Sequence, residues 1–116
     1  MAGKIIADTL EHSTAGSIDT TWLRNGTAKV WCENATDAVV KDSFNVSSAA
    51  DTATGKQTVN FTNSLTNEFH ANAIVSFDAD GVAYVDAKAT GSSRWQNYSS
   101  GFVDAPIEGV IHGDLA

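Results

Sequence analysis

The sequence predicts an all-β fold: a small antiparallel β-sandwich, jelly-roll-like, of about six to eight strands. Of its 116 residues, 28 are Val, Ile or Thr, whereas only 5 are Leu or Met. β-Branched residues favour strands, and several segments alternate apolar with polar side chains, which is the strand period. Gly, Asn and Asp residues suited to turns separate these segments. Because each strand would bury one face, two packed layers are the simplest arrangement.

The strands are expected in the following order. The first lies near residues 4–10, and clear alternation then predicts strands at residues 27–31, 43–47 and 56–62. Further strands are expected at residues 69–77, 82–90 and 106–113, the last with a slip at Glu108-Gly109 that would fit a β-bulge. No twelve-residue stretch has an apolar stripe at helical spacing, although residues 48–51 could form one short turn.

One local connection is predicted in detail. The Asp80-Gly81 dipeptide, within the turn 78–81, fits a type I′ turn, whose twist matches that of two antiparallel strands. Residues 69–77 and 82–90 are therefore expected to pair as a hairpin.

The length predicts a single domain. We expect an N-terminal arm or first strand over residues 1–15 and one β-sandwich over residues 16–116. Ile5 and Ile6 stand beside a glycine and polar residues, and Leu10 follows. These three apolar residues are predicted to form a subunit-binding arm that orders against a neighbouring subunit.

The charge pattern excludes some partners. The 14 acidic and 7 basic side chains give a formal net charge of −7, and the basic residues are scattered. Nucleic acid is not an expected partner, because phosphate binding needs clustered Lys and Arg. Apolar runs are short and the first residues lack the apolar centre of a signal peptide, so we expect neither membrane insertion nor secretion.

Cys32 is the single cysteine and lies in the apolar run Val30-Trp31-Cys32. It cannot form an intramolecular disulfide, and this position predicts a buried, unreactive thiol. Trp31 is predicted to lie in the core for the same reason.

The residues with chemical potential form no catalytic or metal-binding pattern. His12, His70 and His112 are far apart, and the latter two fall in strand-like segments, where a surface or interface role is expected. The turn at residues 78–81 begins like a calcium loop, but Ala89 stands where the EF-hand needs a glutamate. No serine occupies a nucleophile elbow. We therefore expect no enzyme, no metal and no cofactor.

Three aromatic residues are candidates for an interface or for stacking on a ligand: Trp22, Trp95 and Tyr98. Exposed Trp and Tyr beside amide side chains can stack on sugar rings or anchor a protein interface. For Trp95 and Tyr98 the sequence favours a core or edge-strand role over these two, and Trp22 is similarly ambiguous.

Three consecutive motifs resemble a β domain of tailed-bacteriophage virion proteins, especially marine-phage tail-fibre proteins. They are Lys29-Val30-Trp31, Lys41-Asp42-Ser43-Phe44-Asn45-Val46-Ser47-Ser48 and Thr58-Val59-Asn60-Phe61-Thr62. The flanking segments 17–21, 25–29 and 110–114 are also similar, so the resemblance covers most of the chain. The sequence departs from the family pattern at residues 32–35 and 49–55.

The resemblance implies a non-enzymatic virion component, usually a homotrimer. If the chain starts at Met1, we expect no separate segment to attach a fibre to a tail, which favours a head decoration (cement) protein that bridges major-capsid subunits. A tail-fibre or tail-tip subunit that binds tail proteins and a host-surface receptor or glycan is the alternative. The location expected is the virion, after synthesis in the host bacterial cytoplasm.

Overall fold

A computed structural model describes residues 3–78 and 80–116. Met1 and Ala2, which begin the predicted arm, and Ala79, in the predicted turn, lie outside the described residues. The described residues form the following elements: β1 (Thr9–His12), β2 (Gly16–Asp19), α1 (Thr20–Gly26), β3 (Val30–Asn34), β4 (Val40–Phe44), β5 (Val46–Ala53), β6 (Lys56–Phe61), β7 (Ala71–Ser76), β8 (Val82–Ala89), β9 (Ser92–Tyr98) and β10 (Ile107–His112).

The fold is the predicted all-β sandwich. The first sheet has the order β4-β3-β10-β7, the second has the order β5-β6-β9-β8, and all pairs are antiparallel. The eight sandwich strands fall within the predicted number, and β1 and β2 form a separate two-stranded sheet. The winding is not that of a jelly roll, because β3–β4, β5–β6 and β8–β9 each stay within one sheet as local hairpins.

The core lies between the central strands of the two sheets. Side chains of β3 and β10 meet those of β6 and β9, and Leu65, between β6 and β7, is buried with them. Each fully buried large apolar side chain contributes about 1.5–3 kcal/mol. The edge strands β4, β5, β7 and β8 contribute half-buried residues only, of which these four contact the core: Val40, Val46, Ile74 and Val85.

The predicted hairpin of residues 69–77 and 82–90 is wrong. Both strands exist, but β7 belongs to the first sheet and β8 to the second. The chain does turn here, since Gly81 N donates to Asp78 O at 3.0 Å. However, Phe77 N donates to Pro106 O at 3.1 Å, which keeps the end of β7 beside β10 while β8 pairs with β9. The turn therefore joins two sheets instead of two paired strands.

The predicted strand at residues 43–47 is broken in its centre. Asn45 has a φ of 58°, and there the chain leaves β4 in the first sheet and enters β5 in the second. Asn tolerates this left-handed conformation better than most residues. Residues 48–51 lie within β5 and do not form the predicted short turn.

The remaining strand predictions differ in detail. The strand expected at residues 56–62 is β6, and that expected at residues 27–31 begins later, as β3. The bulge predicted at Glu108-Gly109 is wrong, because β10 keeps a continuous register with both neighbours. β9 is not among the predicted strands, although a core or edge-strand role is expected for Trp95 and Tyr98, and it pairs on both sides.

The N-terminal part differs most from expectation. The strand expected near residues 4–10 overlaps β1 only at Thr9 and Leu10, β1 pairs only with β2, and the helix α1 was not predicted. Asp19 caps this helix by accepting from Thr21 N at 2.7 Å. Seven residues are too few to display a helical stripe in the sequence. No residue between 3 and 27 is buried, so the exposed part of the described chain ends near residue 27.

Candidate assembly surfaces

Residues 3–27, called the N-terminal section below, expose nearly all of their apolar side chains. Ile5 is 90%, Ile6 83% and Trp22 76% exposed. Leu10 and Ile18 face each other across the β1–β2 pair and are both about half exposed, as is Leu23. The predicted arm residues Ile5, Ile6 and Leu10 therefore lie on the surface, together with apolar residues from the hairpin and the helix.

The N-terminal section is attached to the sandwich at one end. Lys29 Nζ donates to Thr27 O at 2.7 Å, to Thr27 Oγ1 at 2.8 Å and also to Arg24 O, at the carboxyl end of α1. A cation at this end of a helix is favourable. Arg24 also lies 3.8 Å from Asp114 in an exposed ion pair. These contacts fix the end of α1, while the hairpin and residues 3–7 lie beyond it.

The overall shape reflects this projection. The Cα radius of gyration is 16.7 Å, and the molecule measures 51 × 31 × 25 Å along its principal axes. A compact chain of this length would have a radius of gyration of about 13 Å. An isolated two-stranded hairpin and a seven-residue helix are both marginal in water. The N-terminal section would therefore gain stability by packing its apolar side chains against another molecule.

Trp95 is not a surface residue. Its side chain is fully buried in the core, and Nε1 donates to Ser93 Oγ at 3.1 Å and to Asn72 Oδ1 at 3.3 Å. The inward-facing register of β9 places it opposite Val85 and Gln57. The core role that the sequence favours for Trp95 is correct, and the candidate stacking or interface role is wrong.

Trp22 and Tyr98 are both exposed, on α1 and at the end of β9 respectively. The Tyr98 ring contacts the Phe102 ring edge to face, with centroids 5.6 Å apart. Lys56 Nζ lies 5.4 Å from the Phe102 centroid. Phe102 is not among the residues predicted from the sequence, because it follows β9 without any periodic pattern.

Trp31 lies on the outer face of the first sheet, where it is 36% exposed, so its prediction as a core residue is wrong. Val30 and Cys32 point inward, and the alternation of the strand turns the residue between them outward. Trp31 stands opposite Phe44 on one side and Val110 on the other, and Val110 stands opposite Ala73. These four residues form an apolar row across the sheet.

A second row on the same face is acidic. Asp42, Glu33 and Glu108 stand opposite one another on β4, β3 and β10, and Val75 on β7 completes the row. Lys41 Nζ lies 3.3 Å from Glu33 Oε1. A groove of about 480 Å³ runs over the two rows between β3 and β7. This groove combines an apolar floor with a negative side.

His70 is buried, whereas the sequence predicted a surface or interface position. Its Nε2 donates to Ala89 O at 3.3 Å, and Asn72 Nδ2 donates to its Nδ1 at 3.0 Å. Burial lowers the pKa of His70, the hydrogen bond to Ala89 opposes this shift, and the nearby Lys88 charge adds to it. His70 is therefore a neutral structural group that joins β7 to the second sheet.

Cys32 is buried, as predicted. Its Sγ donates to Asn34 Oδ1 at 2.6 Å. Burial, with a smaller contribution from the charge of Glu33, raises the pKa of Cys32 to about 11. A thiol with this pKa is not a nucleophile at neutral pH.

No three His, Cys, Asp or Glu side chains gather into a metal-binding group within residues 3–78 and 80–116. Over the same ranges, no helix is both long enough and apolar enough to cross a membrane. Comparisons with protein-family models, curated proteins and solved structures found no match to this chain.

Proposed function

We propose that this protein is a non-enzymatic structural component of a phage virion, most specifically a capsid decoration (cement) protein that bridges major-capsid subunits. Its assignment to a virion rests on the three motifs within residues 29–62 that resemble a virion β domain. The cement role rests on one structural observation: the N-terminal section presents exposed apolar side chains from a projecting position.

The hairpin and the helix are the parts that bind the particle. Leu10, Ile18, Trp22 and Leu23 would lose their exposed apolar surface on contact with a capsid subunit. Tryptophan anchors of this kind carry a large share of the energy at protein interfaces. The sandwich holds them in place through the contacts of Lys29 with the end of α1.

The mechanism needs no chemistry. A protein that binds only the assembled shell stabilises it by an amount that grows with its free concentration over the dissociation constant. At a hundredfold excess over that constant, each site gains about 2.7 kcal/mol. Many bridging copies would together oppose disassembly of the head.

The copy number per virion tests the location. Quantitative mass spectrometry of purified particles should give a number comparable with that of the major capsid protein. A number at the level of tail proteins would reject the cement role and move the protein to the tail.

A binding assay tests the surface. The double variant Trp22→Ser, Leu23→Ser should keep the fold, because both side chains are exposed, and should bind expanded capsids about tenfold more weakly or worse. Phe69→Ser is the matched control, since Phe69 is 83% exposed and lies outside the N-terminal section. Equal binding by both variants and the unmodified protein would reject this surface.

A tail-fibre or tail-tip subunit that binds a host-surface glycan is the second candidate function. It is favoured by the exposed Tyr98–Phe102 pair, which offers an aromatic surface beside Lys56. A glycan-array signal that is lost in Tyr98→Ala and kept in Phe69→Ser would support it. Absence of any glycan binding at millimolar ligand would reject it.

A further inference from the structure

The groove on the outer face of the first sheet is lined by apolar side chains in one row and by acidic side chains in the next. Its floor and walls come from three strands, and six side chains face it: Trp31, Glu33, Ala73, Val75, Glu108 and Val110. Apolar side chains form one row and the carboxylates of Glu33 and Glu108 stand in the next. An occupant that fits both rows must be apolar at one point and positively charged at another.

The acidic row supports a cationic occupant by a separate argument. Glu33 stands directly opposite Asp42 on one side and Glu108 on the other. Like charges at directly opposed positions destabilise a sheet. Lys41 pairs with Glu33, and among the described residues no cation forms an ion pair with Glu108. A lysine delivered by a partner would relieve this repulsion.

The chain itself carries a segment of the required chemistry. Residues 3–7 have no regular secondary structure and are all exposed, and they read Gly3-Lys4-Ile5-Ile6-Ala7. Lys4 forms no ion pair with the described part of the chain. In an extended segment, Lys4 and Ile6 project to the same side, about 6.8 Å apart.

The spacing of the two rows matches this segment. Glu108 and Val110 lie two residues apart on β10, as Lys4 and Ile6 do in residues 3–7. A segment that lies along β10 therefore brings Lys4 over the acidic row and Ile6 over Val110, between Trp31 and Ala73. We propose that residues 3–7 of one copy of this protein dock in this groove of a second copy.

The contact is head-to-tail, because an arm of one copy meets a groove of the next. Such heterologous contacts form a closed ring when the rotation between copies closes, and three copies would give the homotrimer. This inference rests on the proposed function only for the expected number of copies. It leaves the hairpin and α1 available to the capsid, so self-association and particle binding can fail independently.

Charge reversal tests the pairing in the isolated protein. Sedimentation equilibrium should show a trimer for the unmodified chain. Lys4→Glu and Glu108→Lys should each associate more weakly, with a dissociation constant at least about tenfold higher. The double variant Lys4→Glu, Glu108→Lys should restore the trimer. Lys4→Glu with Glu68→Lys has the same net charge and should not restore it, because Glu68 is exposed and lies outside the groove.

Disulfide trapping identifies the occupant. Ile6→Cys combined with Val110→Cys should give oxidised chains joined to one another, whereas Ile6→Cys with Val82→Cys on the second sheet should not. A monomeric unmodified protein, association unchanged by both single charge reversals, or a disulfide formed within one chain would each overturn the proposal. Capsid binding measured on the same variants reports separately on the proposed function.

Discussion

Gly109 on β10 lies against the indole of Trp95 on the opposite sheet. A Cβ at Gly109 would stand 3.1 Å from Trp95 Cη2 and 2.5 Å from Ile74 Cγ2. Ile74 is the directly opposed residue on β7, so the glycine is enclosed by its own sheet and by the facing one. The absence of a side chain at this position lets the largest core residue reach the centre of the first sheet.

Gly109→Ala should therefore destabilise the protein by about 1–3 kcal/mol, since an added methyl group must displace Ile74 or Trp95 from a packed core. Urea unfolding followed by circular dichroism measures the change. Gly91→Ala is the matched control, because its nearest contact, Ser64 Oγ, would lie at an ordinary 3.5 Å. Equal stabilities of the two variants would contradict the close approach.

Trp22 and Trp95, both candidates for an interface or stacking role, should differ in how much their removal lowers stability. Trp95→Ala removes a fully buried side chain and should cost about 3–5 kcal/mol, enough to unfold a marginal domain. Trp22→Ala removes a side chain that is 76% exposed and should change stability by less than about 0.5 kcal/mol. Thermal unfolding of both variants measures the difference, and a large loss of stability in Trp22→Ala would show that the Trp22 side chain is packed against other residues.

The sandwich could be predicted because alternation reports burial wherever a strand has one buried face. β6 shows this well, since Gln57, Val59 and Phe61 point inward and the residues between them do not. β5 has no such pattern, because an edge strand of Ser, Ala, Asp and Thr buries little. The hairpin prediction failed because Asp80-Gly81 specifies a turn and not the partner of the strand that follows.

The candidate surfaces could also be predicted only in part from the sequence. The exposure of Ile5 and Ile6 could be predicted from their isolation in a polar segment. The prediction that Trp31 lies in the core relied on its apolar neighbours. Strict alternation with Val30 and Cys32 predicts instead that its side chain lies on the outer face of the sheet. The groove could not be predicted, because it requires β3, β10 and β7 to be adjacent, and these strands are far apart in sequence.

Asn45 makes the crossing between the two sheets possible. Its φ of 58° is in the left-handed region, its Nδ2 donates to Lys29 O and Asn63 O at 3.1 Å each, and its Oδ1 accepts from Asn63 N at 2.8 Å. Backbone geometry and side-chain hydrogen bonds thus favour the same residue here.

Two substitutions at Asn45 separate these contributions. Asn45→Gly loses the hydrogen bonds but adopts the backbone conformation freely, whereas Asn45→Ala loses both advantages. Both variants should be less stable than the unmodified protein, and Ala should be worse than Gly by about 1 kcal/mol. Chemical denaturation measures the difference, and a Gly variant no more stable than the Ala variant would show that backbone strain is unimportant here.

Acid should weaken the junction at His70. Asn72 Oδ1 accepts from Ser93 Oγ at 2.9 Å and from Trp95 Nε1 at 3.3 Å, which orients the Asn72 amide so that its Nδ2 donates to the unprotonated Nδ1 of His70. A proton on Nδ1 would place two donors face to face. Reversal of the amide would give up the bonds to Ser93 and Trp95.

The pH dependence of stability follows from the lowered pKa of His70. Burial is the main cause of this lowering, and the charge of Lys88 adds to it. The folded protein binds this proton less readily than the unfolded chain. The contribution of His70 to the free energy of unfolding is therefore fully present above pH 6.5 and is lost as the pH falls from there towards the folded pKa. One such group gives a slope of up to about 1.4 kcal/mol per pH unit.

Urea unfolding between pH 7.5 and 5 should show a smaller slope for His70→Gln than for the unmodified protein. Identical slopes in His70→Gln and the unmodified protein would reject His70 as the source.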